Sequence, residues 1–216
     1  MSLGASKTLI QQLREEVALK FPQTLTIWEE YIPLPTGIEL IDKGLLLGGF
    51  PCGQLIEITG TKSSGKTTFL FKILSGLSSQ EKVIAYFDFS QTFYPPSAVK
   101  SGIVLKKLLL LRPATIQAGL RAAEILFRNK SINVAVFDLV ETKEQLPKTL
   151  LLRLKKSLIQ VKGVGIFLRE PDSTPIQGNK ISLSLKVERL NQKASIKIEK
   201  SMFGMNNKSL EMVLNE

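Results

Sequence analysis

The chain has 216 residues, 44% hydrophobic and 22% charged, which suits one globular domain with a sizeable core and a small appendage. Cys52 is the only cysteine and there is no histidine, which excludes disulfide frameworks and thiolate zinc sites within one chain, histidine-ligated metals, and Ser-His-Asp or Cys-His catalysis. The formal net charge of +10 points to a polyanionic partner, DNA above all, although the basic residues are spread out and form no tail. No apolar run approaches a membrane span and no signal-peptide core opens the chain, so the expectation is a cytoplasmic protein with no membrane partner.

In chain order, Thr8 to Lys20 predicts an amphipathic helix with Leu9, Leu13, Val17 and Leu19 as a partial stripe. Phe21-Pro22 ends it, and a linker from Gln23 to Pro35 carries Trp28 and Tyr31. This leading segment, residues 1–35, is either a lid on the core or an arm for self-association, and the core follows over residues 36–216. Thr36 to Asp42 predicts a capped short helix, and Gly48 to Gly53 a turn.

Gln54 to Thr59 reads as a strand and Lys66 to Leu77 as a helix, with Phe69, Leu70, Ile73, Leu74 and Leu77 on one stripe. Between them lies Gly60-Thr61-Lys62-Ser63-Ser64-Gly65-Lys66-Thr67, which meets G-x-x-x-x-G-K-[ST] at every fixed position. The spacing has a chemical reason. Glycines let successive N–H groups curl around a phosphate, and a helix start adds its positive dipole end. Lys66 is placed to reach the β/γ-phosphates, and the Thr67 hydroxyl to hold Mg²⁺. With Thr68 beside them, Gly60, Ser63, Ser64, Gly65, Lys66 and Thr67 are the predicted nucleotide-binding residues.

Strands and helices then alternate. Strands are expected at Lys82–Phe89, Leu108–Leu111, Val134–Leu139 and Val164–Leu168. Helices are expected at Pro96–Gly102, Ile116–Asn129 (burying Ala118, Ala122, Ile125 and Leu126) and Leu146–Gln160. After Glu170 only strands follow, at Ile181–Leu190, Ala194–Glu199 and Lys208–Leu214. The predicted architecture is therefore α/β, a mainly parallel twisted sheet flanked by helices, with an antiparallel extension at its C-terminal end.

Two strand ends carry carboxylates. Asp138, after the apolar run Val134–Phe137, is placed to orient Mg²⁺ and its water, with a turn-capping aspartate as the plain alternative. Asp88 either polarises the attacking water or lines the site. The helix from Pro147 to Gln160 turns Leu150, Leu151, Leu154 and Leu158 inward and Lys148, Arg153, Lys155 and Lys156 outward. That outer face is a solvated surface or a DNA-phosphate contact. Phe93 and Tyr94 either stack on a base or pack.

Together these residues resemble the RecA recombinase family. The likeness begins at Pro35-Thr36-Gly37-Ile38-Glu39-Leu40-Ile41-Asp42, runs through Gly48 to Ile58, and is most specific at Ser63-Ser64-Gly65-Lys66-Thr67-Thr68. Tyr86-Phe87-Asp88, Val136-Phe137-Asp138 and Ile196 to Lys200 keep its order. The resemblance implies a RecA-like P-loop core, ATP and Mg²⁺ as cofactors, and work in DNA recombination or repair.

The departures are informative. Ser90 stands where the family has its water-activating glutamate, with Glu141 an unaligned substitute, and Ser97 where an aromatic residue underlies adenine. Of two interface lysines only Lys200 has a counterpart, Met202 standing at the other position. The two segments expected to bind DNA shrink to Leu139–Gln145 and Pro171–Asn179. Leu13-Arg14-Glu15, Leu152-Arg153-Leu154 and Phe167 to Pro171 are further similar to the ImuA group of short RecA paralogues. That likeness implies a DNA damage response and DNA-repair proteins as partners. Three functions remain in play: a DNA-dependent ATPase recombinase, an ATP-binding accessory protein, and an interaction module with a remnant P-loop. Retention of both Lys66 and Thr67 disfavours the last.

Overall fold

The computed structural model describes residues 32–140, 145–173, 176, 180–191 and 193–214. The helix expected over Thr8–Lys20, its linker and Glu141 lie outside these residues. The elements are β1 (Pro33–Leu34), β2 (Phe50–Pro51), β3 (Gln54–Thr59), α1 (Lys66–Ser79), β4 (Ile84–Asp88), α2 (Pro95–Lys100), β5 (Leu108–Leu111) and α3 (Ile116–Arg128). They continue with β6 (Val134–Asp138), α4 (Lys148–Val161), β7 (Val164–Arg169), β8 (Ile181–Leu190), β9 (Lys193–Ser201) and β10 (Ser209–Val213).

Eight strands form one sheet in the order β10-β9-β8-β3-β7-β6-β4-β5. From β5 to β8 all neighbours are parallel, while β9 and β10 pair antiparallel. The antiparallel extension expected from Ile181 therefore starts one strand later, because β8 runs parallel to β3. Helices cover the parallel strands on both faces, which is why β4, β6 and β7 are buried at every position. The strand after β3 in sequence lies three places away, beyond β7 and β6, while β8 lies on the other side of β3. Strand order thus reverses around β3, and ligands of open α/β sheets bind in the crevice at such a point.

The two faces follow strand alternation. Leu55, Ala85, Phe87, Ala135, Phe137 and Phe167 face α3 and α4, with Phe87, Phe137 and Phe167 stacked in a row at 4.9 Å centroid spacings. The intervening positions face α1, where Phe69, Leu70, Ile73, Leu74 and Leu77 are fully buried as their spacing predicts. The inner face of α3 is only partly the expected one: Ala122 and Leu126 pack partly buried against the core. Ile116, Leu120, Ala123 and Phe127 are buried, whereas Ala118 is exposed and Ile125 is 58% exposed. The observed stripe carries the larger side chains, and Gly119 on the same side lets Phe89 and Pro113 close against the backbone.

The entry segment also differs from expectation. Asp42 accepts from the Thr36 N–H (3.0 Å), the Thr36 hydroxyl (2.8 Å) and the Gly37 N–H (3.2 Å). That ties Thr36–Gly37 into a turn, and the helical segment starts later, as a π-helical turn over Leu40–Leu45. The turn packs against α1 at Gly76, where an added Cβ would lie 2.9 Å from the Gly37 Cα.

Candidate nucleotide-binding site

The loop from Thr59 to Lys66 leaves the C-terminal end of β3 and turns directly into α1. Gly65 is the residue before the helix, at φ 88°, a left-handed conformation that glycine adopts without steric cost. Ser63 is left-handed as well, at φ 62°. Two internal bonds brace the loop: the Ser64 N–H donates to the Thr61 carbonyl at 3.2 Å, and the Lys66 N–H donates to Ser64 Oγ at 3.3 Å. Among the described residues, the N–H groups of Ser63, Gly65, Thr67 and Thr68 donate to no protein acceptor. α1 has no side-chain cap and no acidic residue in its first turn. A row of unpaired donors at a helix start is a cradle for an anion.

Lys66 is 5% exposed, and its Nζ donates to the Thr61 carbonyl at 3.1 Å. Burial pushes its pKa down, the Glu170 and Asp138 carboxylates oppose that, and Lys62 adds to it. The bond to the Thr61 carbonyl holds the cation folded against the loop. Thr67 and Thr68 border a cavity of about 830 Å³, walled on its far side by Ser97, Lys100 and Ser101 near α2. That is the size of an ordinary small-molecule site. Ser97 offers this cavity no ring. Phe93 is packed away against Tyr86 (4.7 Å) and Phe71 (5.6 Å), while Tyr94 is 61% exposed.

Parallel pairing places Asp88 and Asp138 side by side at the ends of β4 and β6. Their surroundings differ. Asp138 accepts from the Tyr86 hydroxyl at 2.7 Å and the Val140 N–H at 3.3 Å. Burial raises its pKa, and those two bonds hold it partly down. A carboxylate has about four acceptor positions, so capacity remains for a metal-bound water. Asp88 is fully buried and its oxygens are taken up locally: Oδ1 by the Thr92 N–H (3.0 Å), Oδ2 by the Phe93 N–H and Arg112 Nε (both 3.2 Å). Ser90 lies within hydrogen-bond distance of the Thr92 hydroxyl, at 3.0 Å.

The fit of Mg²⁺ can be tested on these groups. Among the described residues no cluster of three or more Asp, Glu, Cys or His side chains forms a protein cage for a metal. Mg²⁺ in phosphate sites uses one or two protein oxygens, phosphates and water. The Thr67 hydroxyl and Asp138 match that donor set.

Three participants escape sequence reasoning. Tyr86 and Arg112 are joined to their aspartates only by strand order. Glu170, one residue past β7, has an Oε1 that is buried with no hydrogen-bond partner. Strand alternation carries the one available signal for it, since Glu170 shares parity with Leu168. The outward face expected of α4 is kept, with Arg153 exposed yet bonded to the buried Glu124 of α3 at 3.0 and 3.2 Å.

Comparison with known proteins decides the family. The RecA N-terminal domain matches residues 9–151, about two thirds of the chain. The chain belongs to the RecA family. It is 36% identical to Protein RecA of Chloroflexus aurantiacus over 107 residues, covering 50% of this chain and 30% of that protein. Protein RecA of Bacillus subtilis is 35% identical over 107 residues, with 50% and 31% covered. Protein RecA of Mesomycoplasma hyopneumoniae is 32% identical over 140 residues, with 62% and 42% covered. The matches thus span less than half the length of these relatives. The α/β sheet with its antiparallel edge is a RecA-like core, and among the described residues no helix is long and apolar enough to cross a membrane.

Proposed function

We propose that the chain is an ATP-binding, RecA-like protein of DNA repair or recombination, an accessory paralogue of the ImuA type acting in the DNA damage response. Gly60, Ser63, Ser64, Gly65, Lys66, Thr67 and Thr68 hold the phosphates, and Thr67 and Asp138 are the groups that would hold Mg²⁺. The metal supplies charge neutralisation on the β- and γ-phosphates. The observation that carries the reading is the set of unpaired N–H groups of Ser63, Gly65, Thr67 and Thr68 around the buried Lys66, an arrangement suited to an anion.

Support for weak turnover comes from the other carboxylate position. Ser90 replaces the family's water-activating glutamate and cannot take a proton from water as a carboxylate does. Asp88 is spent on Arg112 and two backbone amides. In this reading ATP is held statically or turned over slowly, and the surfaces of the core recruit DNA and DNA-repair proteins. The leading segment, residues 1–35, serves as the docking arm for self-association.

One assay tests it: ATP binding and hydrolysis by wild type and Lys66→Ala, with and without single-stranded DNA. The expected result is tight binding lost in Lys66→Ala, with slow hydrolysis that DNA barely changes. Robust DNA-stimulated turnover would instead favour an active recombinase.

A further inference from the structure

Glu170 sits at the one strand end whose role is unassigned. β7 lies between β3 and β6, with Arg169 level with Thr59 and Leu168 level with Asp138. Glu170 is therefore level with Gly60, the first residue of the loop, and two residues beyond Asp138 on the adjacent strand. Phe167 belongs to the cluster under α3 and α4, and Arg169 pairs with Glu57 on that face at 2.7 Å. Alternation then turns Leu168 toward α1, as it turns Asp138 toward Tyr86, and Glu170 is the next residue of that parity, just past the strand end.

The acceptors of the site are not equally occupied. Asp88 accepts from three donors, Asp138 from two, and Ser90 is engaged with Thr92. Among the described residues, Glu170 Oε1 is the one buried side-chain oxygen without a donor. An acceptor shut away from solvent is costly to leave unpaired, and functional sites are where such costs are tolerated. Its carboxylate also acts on Lys66 more strongly than Asp138 does. The vacant oxygen thus belongs to an acid whose charge acts on the lysine of the phosphate loop.

We propose that Glu170 is the catalytic carboxylate of this site, aimed at the water that attacks the terminal phosphate. The step needs no further reagent. The water oxygen forms a bond to the γ-phosphorus as the bond to the β,γ-bridging oxygen breaks, ADP leaves with that oxygen, and the water proton passes to Glu170 Oε1. The inference rests on the ATP-binding reading above, and it makes the slow turnover the work of β7 in place of the position held by Ser90. A fixed negative charge there also repels the γ-phosphate, so Glu170 discriminates against ATP relative to ADP.

The test uses the full chain as wild type, Glu170→Gln and Glu170→Asp. Affinities for fluorescent ATP and ADP analogues are measured beside single-turnover hydrolysis and thermal melting. Glu170→Gln should melt like wild type, cut hydrolysis at least about tenfold, and raise ATP affinity several-fold while leaving ADP affinity unchanged. Glu170→Asp, which keeps the charge on a shorter stem, should lose hydrolysis partially and keep the wild-type preference. Hydrolysis at the wild-type rate in Glu170→Gln overturns the proposal, as does wild type that binds ATP with no turnover. Wild type that binds neither nucleotide overturns the underlying reading as well, so the two failures are distinct.

Discussion

The Tyr86 hydroxyl donates to Asp138 Oδ2 at 2.7 Å, joining the middle of β4 to the end of β6 inside the layer covered by α1. Burial drives both groups toward their neutral forms: the Asp138 pKa is raised and the Tyr86 pKa is raised well above its usual value, with the Asp138 charge adding to it. The shared hydrogen bond fixes the carboxylate's orientation at the phosphate mouth. The site therefore keeps a buried charge that the nucleotide-free fold would be more stable without.

Asp138→Asn tests that relationship. A carboxylate whose folded pKa lies above its ordinary 3.8 contributes stability below that value, and loses it as pH rises through the raised pKa. At about pH 8 the wild-type protein carries the full burden of the buried charge, while asparagine carries none. The tyrosine hydroxyl can turn to accept from the new amide, so the hydrogen bond is kept. The variant is expected to melt higher than wild type near pH 8, with the gap closing as pH falls through the raised pKa. Magnesium-dependent nucleotide affinity should drop in the same protein. A variant that melts lower at every pH would show that the ionised form stabilises the fold.

Gly76→Ala gives a prediction whose sign helix propensity gets wrong. In an exposed helix interior, alanine is favoured over glycine by about 1 kcal/mol. Here an added Cβ would crowd the Thr36 carbonyl and stand 2.9 Å from the Gly37 Cα, and both are backbone. Backbone held by the three bonds to Asp42 cannot swing aside as a side chain would. Overpacking of this kind costs about 1–3 kcal/mol. Urea denaturation should show Gly76→Ala destabilised by roughly 2 kcal/mol, and an unchanged or raised midpoint would mean the Thr36 turn yields.

What was legible in the chain divides along the same line between local and distant. The strands announced themselves because a parallel sheet covered on both faces demands near-continuous apolar runs, and β4, β6 and β7 supply them. The phosphate loop was legible because all its parts lie within eight consecutive residues. The inner face of α3 was only partly so, since Ala118-Ala122-Ile125-Leu126 and Ile116-Leu120-Ala123-Phe127 both run at helical spacing, and packing on Phe89 and the sheet buries the second set most deeply. The site's supporting bonds were hidden for a different reason. Tyr86 and Asp138 are 52 residues apart and Asp88 and Arg112 are 24 apart, so strand order alone brings them together.

Asp88→Asn separates a structural aspartate from a chemical one. The carboxylate is fully buried and accepts from the Thr92 and Phe93 amides, which shape the turn leaving β4 toward α2, and from Arg112 Nε. Asparagine has one accepting oxygen in place of two. Whichever way it is turned, its amide nitrogen confronts a donor and at least one backbone N–H loses its partner. Hydrogen bonds to a charged acceptor are worth about 1.5–3 kcal/mol each, so the loss should be about 2–3 kcal/mol in urea denaturation. Arg112→Ala removes a partner whose side chain is 49% exposed, and solvent screening limits its cost to about 1 kcal/mol or less. Nucleotide affinity should stay within a few-fold of wild type in both variants, because neither residue contributes to the amide row at Ser63–Thr68. If Asp88→Asn keeps its stability yet abolishes hydrolysis, the aspartate belongs to the chemistry and the vacancy at Glu170 must be filled by something other than the attacking water.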